Sequence, residues 1–528
     1  MGEPNVGGDE MNPQYTQSFP IPQIDFNSVL PMIIVTITGL VALLIEILRP
    51  PKKNKVIVAV SLIGLLGAAA VLLQQFGMPE GETLAGMMIV DRFGLVMQLL
   101  VVLSCFLCIC FSESYLRQKR IPFGEFYPLI LWSSVGAMLM ATSKNLLVIF
   151  LGLEVLSIAL YVMAGMSRSE EKSEESAVKY FLLGAFASGF LLYGIAFFYG
   201  ASGSLRIDDL ASTWASGDPT AHVLLIMGLG LMLIGFSFKS AFVPFHQWTP
   251  DVYQGAPTNV TAFMAAGSKI AAIAALYRVL DASGAMAIYW IPAMSVVAIL
   301  TMTIGNLIAL MQKDVKRILG YSSIAHAGYI LVAIIAHGKS ASSIPAGDIG
   351  FSTTAYYLLS YSVMTIGAFA IISLVAKNGR EKTTLDDLHG LYKREPFAAV
   401  MLVIFMASLI GIPPTAGFVG KLLIFNDALS AHLGVLAIVL AINSIISIAY
   451  YLAIARAAFI AEEGEEKAVS STMGTGAFSA AAICGIFVIG LALFASPIVV
   501  MMQSDYLTSQ STALKQLPAK VKSVVVQR

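Results

Sequence analysis

Glutamate and lysine residues inside long apolar stretches are the part of this sequence best suited to chemistry. They are Glu154, Lys179, Lys239, Lys269 and Lys421. A lysine at the centre of a membrane helix costs about 2.5 to 3.5 kcal/mol, so chance retention of several is improbable unless they face one another, water or carboxylates. Ammonium and carboxyl groups removed from water can exchange protons near neutral pH. The pattern therefore predicts proton transfer along a buried line of such groups.

Two further residues bear on this prediction. His326 lies in another apolar stretch and is the side-chain type that titrates nearest neutral pH, although a lone histidine on an apolar face is also commonly a packing residue. Glu154 has no acidic neighbour on its own helix, and Lys179 opens the next, antiparallel helix. We therefore expect Glu154 and Lys179 to pair. Structural ion pairing is the alternative interpretation, but a helix bundle has less costly ways to stabilise itself.

The elements that must hold these groups are membrane helices. The chain has 528 residues, of which 57% are hydrophobic and only 12% charged, and a mean hydropathy of +0.80 excludes a water-soluble globule. About 20 apolar residues cross the bilayer as a helix. The sequence contains fourteen such stretches, at 28–48, 56–76, 93–111, 126–142, 144–164, 174–200, 221–248, 257–280, 286–310, 318–337, 353–376, 397–430, 432–459 and 476–502.

Two of these stretches are too long for one helix and contain proline. The stretch 221–248 is interrupted around Pro244, and 397–430 is interrupted at Pro413 and Pro414. Proline removes a backbone donor and clashes with the preceding turn, so both stretches are predicted to be broken helices. Lys239 precedes the first break and Lys421 follows the second. We expect freed carbonyls and water to solvate both ammonium groups there.

The broken helices also indicate an internal repeat. Each is the fourth member of a five-helix block, and a block with an odd number of spans starts the next block on the opposite side of the membrane. The predicted fold is an all-α polytopic membrane protein with two inverted five-helix repeats. The predicted segments are an outward-facing N-terminal segment (1–27), three helices (28–111), the first repeat (126–280), the second repeat (286–459), and a last helix with an outward-facing tail (476–528).

Charge distribution predicts orientation and excludes one class of partner. The 32 basic residues balance the 32 acidic ones, so nucleic-acid binding has no electrostatic support. Most lysines and arginines fall in alternate loops of one side, which is therefore predicted to be cytoplasmic, with both termini outside. Cys105, Cys108 and Cys110 lie among apolar neighbours and are expected to be buried thiols, not metal ligands. The predicted surroundings are a lipid bilayer.

Several motifs carry a family resemblance. The segment 238–258 reads FKSAFVPFHQWTPDVYQGAPT, 321–329 reads YSSIAHAGY and 411–421 reads GIPPTAGFVGK. With Gly152-Leu153-Glu154, these resemble the antiporter-like membrane subunits of NADH:quinone oxidoreductase, respiratory complex I, over about residues 30–500. The wording of the first and third motifs, together with Lys421, favours the N-type branch, since the M-type is expected to carry glutamate there and the L-type has a long lateral helix.

The resemblance implies roles for the residues and partners for the chain. Glu154 and Lys179 would form a coupling pair, Lys239 and Lys269 the central relay, His326 a connection and Lys421 the outward terminal site. The resemblance implies no cofactor in this chain; NADH, FMN, iron–sulfur clusters and quinone would be held by other subunits of the complex. It also implies subunits M and K as neighbours and a bacterial inner membrane. The alternatives are a subunit of a multisubunit cation/proton antiporter, which shares the fold, and a purely structural membrane spacer.

Overall fold

A computed structural model describes residues 25–48, 55–119, 121, 124–168, 170–341, 350–377, 380–381, 383–460 and 474–502. Within these ranges the chain is almost entirely helical. The helices are α1 (Phe26–Leu48), α2 (Lys55–Gln75), α3 (Arg92–Gln118), α4 (Phe126–Thr142), α5 (Leu146–Ala164), α6 (Glu171–Ser202), α7 (Asp209–Ala215), α8 (Pro219–Ser240), α9 (Trp248–Gly255), α10 (Thr258–Ala265), α11 (Gly267–Ala282), α12 (Ala287–Ala309), α13 (Val315–Ala341), α14 (Phe351–Ile372), α15 (Leu391–Arg394), α16 (Pro396–Ile410), α17 (Ala416–Ser430), α18 (Gly434–Phe459), α19 (Thr475–Leu493) and α20 (Ala495–Met502).

Two small antiparallel hairpins and two short 3-10 helices, Gly284–Met286 and Leu385–Leu388, complete the described secondary structure. The hairpins hold the described strands of the chain. They are formed by β1 (Gly81–Thr83) with β2 (Met88–Val90), and by β3 (Ala376–Lys377) with β4 (Arg380–Glu381). The first hairpin lies between α2 and α3, and the second lies between α14 and α16. The second hairpin matters below because it brings Glu381 against the ends of several helices.

Long apolar helices account for the predicted spans. Among the described residues, twelve helical segments are long and apolar enough to cross a membrane, and α4 and α16 are shorter apolar helices. Each of the fourteen predicted stretches is helical over most of its length. The all-α polytopic fold is therefore confirmed. The inverted repeat stays a prediction, and so does the outward position of the termini, because residues 1–24 and 503–528 lie outside the described part of the chain.

Both predicted helix breaks are confirmed. Helix α8 ends at Ser240, and Ala241 then adopts a left-handed conformation, with φ 63°. Helix α16 ends at Ile410 and Gly411 follows with φ 93°, a conformation that glycine adopts without steric cost. Helix α17 begins five residues later, at Ala416. A third break, at Ala266 between α10 and α11, was not predicted, since no proline marks it.

Three segments form the centre of the bundle. The spanning windows of α10–α11 and of α14 are completely buried by neighbouring helices, and that of α13 is nearly so. Helices α1, α2, α6, α12, α18 and α19 lie at the periphery, with most of each window exposed on the outside of the bundle. Lys269 and His326 therefore occupy central helices, whereas Lys179 belongs to a peripheral one.

Candidate functional site

Lys239 lies in the last turn of α8, where the helix breaks, and its side chain is buried at 3% exposure. Its Nζ donates to Ser157 Oγ at 2.7 Å and to the Tyr180 hydroxyl at 3.0 Å. The sequence-based expectation of carbonyl ligands is wrong here, because Trp248 Nε1 donates to the freed Phe238 carbonyl at 2.9 Å. The ammonium is held by hydroxyls, which can both accept and donate protons.

Lys269 lies three residues into α11, directly after the unpredicted break. It is buried and donates to the Ser323 carbonyl of α13. The Tyr361 ring centroid lies 5.9 Å from its Nζ, close enough for a cation–π contact. The Ser268 side chain lies near the Tyr180 hydroxyl. One tyrosine therefore lies between Lys239, which it binds, and the residue adjacent to Lys269.

His326 is buried in α13 between two tyrosine hydroxyls. Its Nδ1 is 2.9 Å from the Tyr357 hydroxyl and its Nε2 is 3.0 Å from the Tyr451 hydroxyl. Both ring nitrogens are thus in hydrogen-bond contact, as a histidine that passes a proton from one side to the other requires. Lys269 and Lys421 both act on its charge electrostatically.

Lys421 shows the environment that the helix break predicts. Its Nζ donates to the Leu409 carbonyl at 3.0 Å and to the Ile410 carbonyl at 2.9 Å. These carbonyls belong to the last turn of α16, where a helix leaves its acceptors unpaired. The Tyr329 ring centroid lies 5.2 Å from the same ammonium. The prediction of carbonyl solvation at this break is confirmed.

The expected ion pair between Glu154 and Lys179 is wrong for this conformation. Lys179 Nζ binds Glu175 at 2.6 Å and Asp251 at 2.8 Å, and its side chain is 41% exposed. Glu154 instead accepts a hydrogen bond from Ser188 of α6. Ser188 is nine residues beyond Lys179, which is about 13 Å along a helix axis. The two charged groups therefore lie at different depths of the membrane.

A small cavity lies between the residues that bind Lys239 and those that bind Glu154. It has a volume of about 10 Å³, close to what one water molecule needs. Its lining includes Lys239, Ser157, which binds the Lys239 ammonium, and Ser188, which binds Glu154. Glu154 is also the carboxylate that acts electrostatically on Lys239. The serines that bind Lys239 and Glu154 thus line one small cavity, and the two charged groups are not in hydrogen-bond contact with each other.

The structure adds hydroxyl-bearing residues that the sequence-based set lacks. Each contacts a predicted site residue directly or through one hydrogen bond; they are Ser157, Tyr180, Ser188, Ser268, Ser323, Tyr357 and Tyr451. One signal was available, since Ser323 lies in the YSSIAHAGY segment. The other serines and tyrosines are scattered through apolar helices, where nothing in their spacing marks them.

A separate ionic cluster joins several helices at the predicted cytoplasmic side. Glu381 of β4 binds the fully buried Lys316 at 2.8 Å and accepts hydrogen bonds from Tyr115 and from the Thr258 hydroxyl. Burial alone raises the pKa of the Glu381 carboxyl, but Lys316 and Lys119 outweigh burial and bring it to about 2. The predicted stretch 318–337 leaves Lys316 outside the membrane helix, whereas the structure places it in the first turn of α13 with no exposed surface.

Comparison with known proteins identifies the family. A family model described as "NADH:quinone oxidoreductase/Mrp antiporter, TM" matches residues 143–447. NADH-quinone oxidoreductase subunit N of Trichlorobacter lovleyi is 43% identical over 430 residues, which cover 81% of this chain and 86% of the relative. The subunit N of Chloroflexus aggregans is 38% identical over 92% of this chain and 98% of its own length. The chain belongs to the NADH-quinone oxidoreductase subunit N family. The N-type resemblance carried by the motifs is therefore confirmed.

Solved structures agree with membership of the subunit N family. A chain of respiratory complex I from Thermus thermophilus with bound aureothin is 34% identical, with a TM-score of 0.75 and coverage of 90% of this chain and 99% of that one. A chain of the Mrp complex from Dietzia sp. has a TM-score of 0.78, with coverage of 91% of this chain and 96% of that one. At 22% identity, that second likeness establishes a common fold only.

Proposed function

We propose that this member of the subunit N family is a proton-translocating membrane subunit of an NADH:quinone oxidoreductase. It couples quinone reduction, carried out in other subunits, to proton transfer through Glu154, Lys179, Lys239, Lys269, His326 and Lys421. The observation that carries the proposal is the buried Lys239 ammonium, bound by the hydroxyls of Ser157 and Tyr180, with Tyr180 next to Ser268 beside Lys269. A structural spacer has no need of buried ammonium groups joined by groups that exchange protons.

Proton transfer along this line follows from the donors and acceptors. When the Lys239 ammonium gives a proton to a hydroxyl, the resulting amine can accept another from the Glu154 side through the cavity. Tyr180 can receive one proton and release another toward Ser268, so its hydroxyl stays neutral overall. Beyond Lys269, the Ser323 carbonyl holds the ammonium one helical turn before His326; it positions Lys269 and does not itself relay a proton. His326 then continues the line toward Lys421 through its contacts with Tyr357 and Tyr451.

Charge interactions give the line its order. A proton on Lys269 or Lys421 repels a proton on His326. Neighbouring sites therefore favour alternate occupancy, so that a proton moves on only when the next group has lost its own. Glu154 and Lys179 act at the start of the line through their charges, since a change in the charge of Glu154 alters the electrostatic potential at Lys239.

The setting of the chain forms part of the proposal. No redox step occurs in this chain, and NADH, FMN, iron–sulfur clusters and quinone belong to other subunits. Subunits M and K are the proposed neighbours in a bacterial inner membrane, with both termini on the periplasmic side. The repeats 126–280 and 286–459 would place the relay at their interface, as inverted repeats generally do.

The test uses Lys239→Ala and Lys269→Ala in the complete complex, reconstituted into vesicles. We expect normal assembly and a more than tenfold loss of coupled quinone reduction and proton uptake. Arg456→Ala is the matched control, because this basic residue is exposed on α18. Coupled proton transport that survives both lysine substitutions would overturn the mechanism. Transport that depends on a sodium gradient and not on NADH would favour the antiporter alternative.

A further inference from the structure

A second layer of ionisable groups lies near Lys421, on its own helix α17 and on the neighbouring helix α13, closer to the outward ends of both helices. Asp427 follows Lys421 by six residues on α17, about 9 Å along the helix axis. On α13, His337 follows Tyr329, the ring beside Lys421, by eight residues, which is about 12 Å along the helix axis toward the outward end. Helix α14 contributes Tyr357 near the first layer and Thr353 near the second.

Asp427 is the member of this layer with incomplete partners. Its carboxylate accepts hydrogen bonds from the Thr353 side chain and from the backbone N–H of Gly350. Its Oδ2 atom is buried and has no hydrogen-bond partner among the described residues. A buried carboxylate oxygen without a donor is costly, so its retention calls for a use.

The layer continues to the surface. His337 packs against Gly350, the residue beside the Asp427 carboxylate, and acts electrostatically on that carboxylate. The same imidazole lies with its Nε2 2.8 Å from Asp281 Oδ1, and the Asp281 side chain is 55% exposed. Asp281 lies in the last turn of α11, the helix that carries Lys269. A sequence of carboxylate, imidazole and exposed carboxylate thus leads from the Lys421 layer to solvent on the predicted outward side.

We propose that Asp427, His337 and Asp281 form the proton-release end of the relay; this inference rests on the proposed function. The Lys421 ammonium loses a proton to an intervening water, which passes one to the Asp427 carboxylate. Lys421 becomes a neutral amine and Asp427 a neutral acid. Asp427 then gives its proton to His337, which becomes an imidazolium stabilised by Asp281. Release of the imidazolium proton to solvent restores all three groups.

The competing explanation is a purely structural one. Asp427 accepts the N–H of Gly350 at the start of α14 and so acts as a cap from another helix. Asparagine is as good as aspartate in such a role, because it keeps an acceptor oxygen. Asparagine cannot take up and release a proton near neutral pH. Replacing Asp427 by Asn therefore separates the two explanations.

The experiment compares Asp427→Asn, Asp427→Glu and His337→Gln in the complete complex in vesicles. We expect Asp427→Asn to reduce NADH-driven proton transport at least threefold, and to raise the solvent deuterium isotope effect on turnover because proton release becomes limiting. Asp427→Glu should restore more than half of the rate. His337→Gln should give a smaller loss with the same change in isotope effect, which supports the route even if Asp427→Asn fails to assemble.

Matched controls are available at the same side of the membrane. Asp209→Asn, in the first turn of α7, and His222→Gln, which stacks on Trp214, change the same residue types outside the layer. Both should leave rate and isotope effect unchanged. The release route would be overturned if Asp427→Asn and His337→Gln both kept the wild-type transport rate and isotope effect while Lys269→Ala abolished transport. That result would leave the proposed function intact. Transport that survives Lys269→Ala would instead defeat the proposed function itself.

Discussion

Replacing Glu381 by glutamine provides a quantitative test of the cytoplasmic cluster. The carboxyl has a pKa of about 2 in the folded chain against an ordinary value of 4.5. At about 1.36 kcal/mol per pH unit, this difference corresponds to about 3 kcal/mol of stability at pH 7. Glutamine resembles the protonated carboxyl, so Glu381→Gln should lower the free energy of unfolding by about that amount. This cost includes that of leaving the Lys316 ammonium buried without its carboxylate partner, since Lys316 is the main cause of the lowered pKa.

The sign of the pH dependence follows from the lowered pKa. Stabilisation by Glu381 is complete above pH 4.5, where the carboxylate is ionised in both the folded and the unfolded chain. It is lost as the pH falls toward about 2, where the folded state also takes up the proton. The difference between wild type and Glu381→Gln should therefore be constant near neutral pH and shrink through this acidic window.

The assay is unfolding of the purified chain in mixed micelles by added SDS, followed by tryptophan fluorescence at several pH values. Glu174→Gln is the matched control, since Glu174 is an exposed carboxylate in the first turn of α6. It should change stability by less than about 0.5 kcal/mol. A difference below about 1 kcal/mol between wild type and Glu381→Gln at pH 7 would refute this account. So would a difference that persists undiminished to pH 2.

Two further predictions concern the relay and its scaffold. Tyr180→Phe removes one of two hydroxyls that bind Lys239, so NADH-driven proton transport should fall severalfold while the complex still assembles. Tyr127→Phe is the control and should be neutral, because the buried Tyr127 hydroxyl has no partner among the described residues. Equal transport rates in the two variants would contradict a role for Tyr180 in the relay. Gly136→Ala would place a Cβ 2.5 Å from Leu156 N and force α4 and α5 apart, so the yield of assembled complex should drop, whereas Gly189→Ala, with open space around it, should assemble as wild type does.

The sequence predicted the helices and their proline breaks because hydropathy and proline are local signals. Helix α16 ends where Gly411 and two prolines follow, and Lys421 finds the carbonyls that this ending frees. The break at Ala266 escaped prediction because the residues on either side continue an ordinary apolar helical pattern. Local signals also identified the ionisable groups, since charge in an apolar stretch is conspicuous.

The partners of those groups could not be predicted, because they depend on the relative depth of different helices. Lys179 is adjacent to Glu154 in the order of helices, but it binds Glu175 and Asp251 nearer the membrane surface. Lys316 directly precedes an apolar stretch, as a loop charge would, but Glu381 of the second hairpin and the Ala256 carbonyl bind it in the interior. Pairing of this kind is set by tertiary packing, so the sequence of a single segment does not predict it.

The complete enclosure of α10–α11 has a consequence for how this protein responds to its membrane. Changes in bilayer thickness or acyl-chain composition act directly on helices that touch lipid, which tilt or shift to match it. The segment that bears Lys269 has no such contact, so its neighbours absorb the mismatch. Helix α6, which bears Lys179, is one of the peripheral helices that receive it. Lipid composition should therefore tune the entrance of the relay while the environment of its centre stays constant.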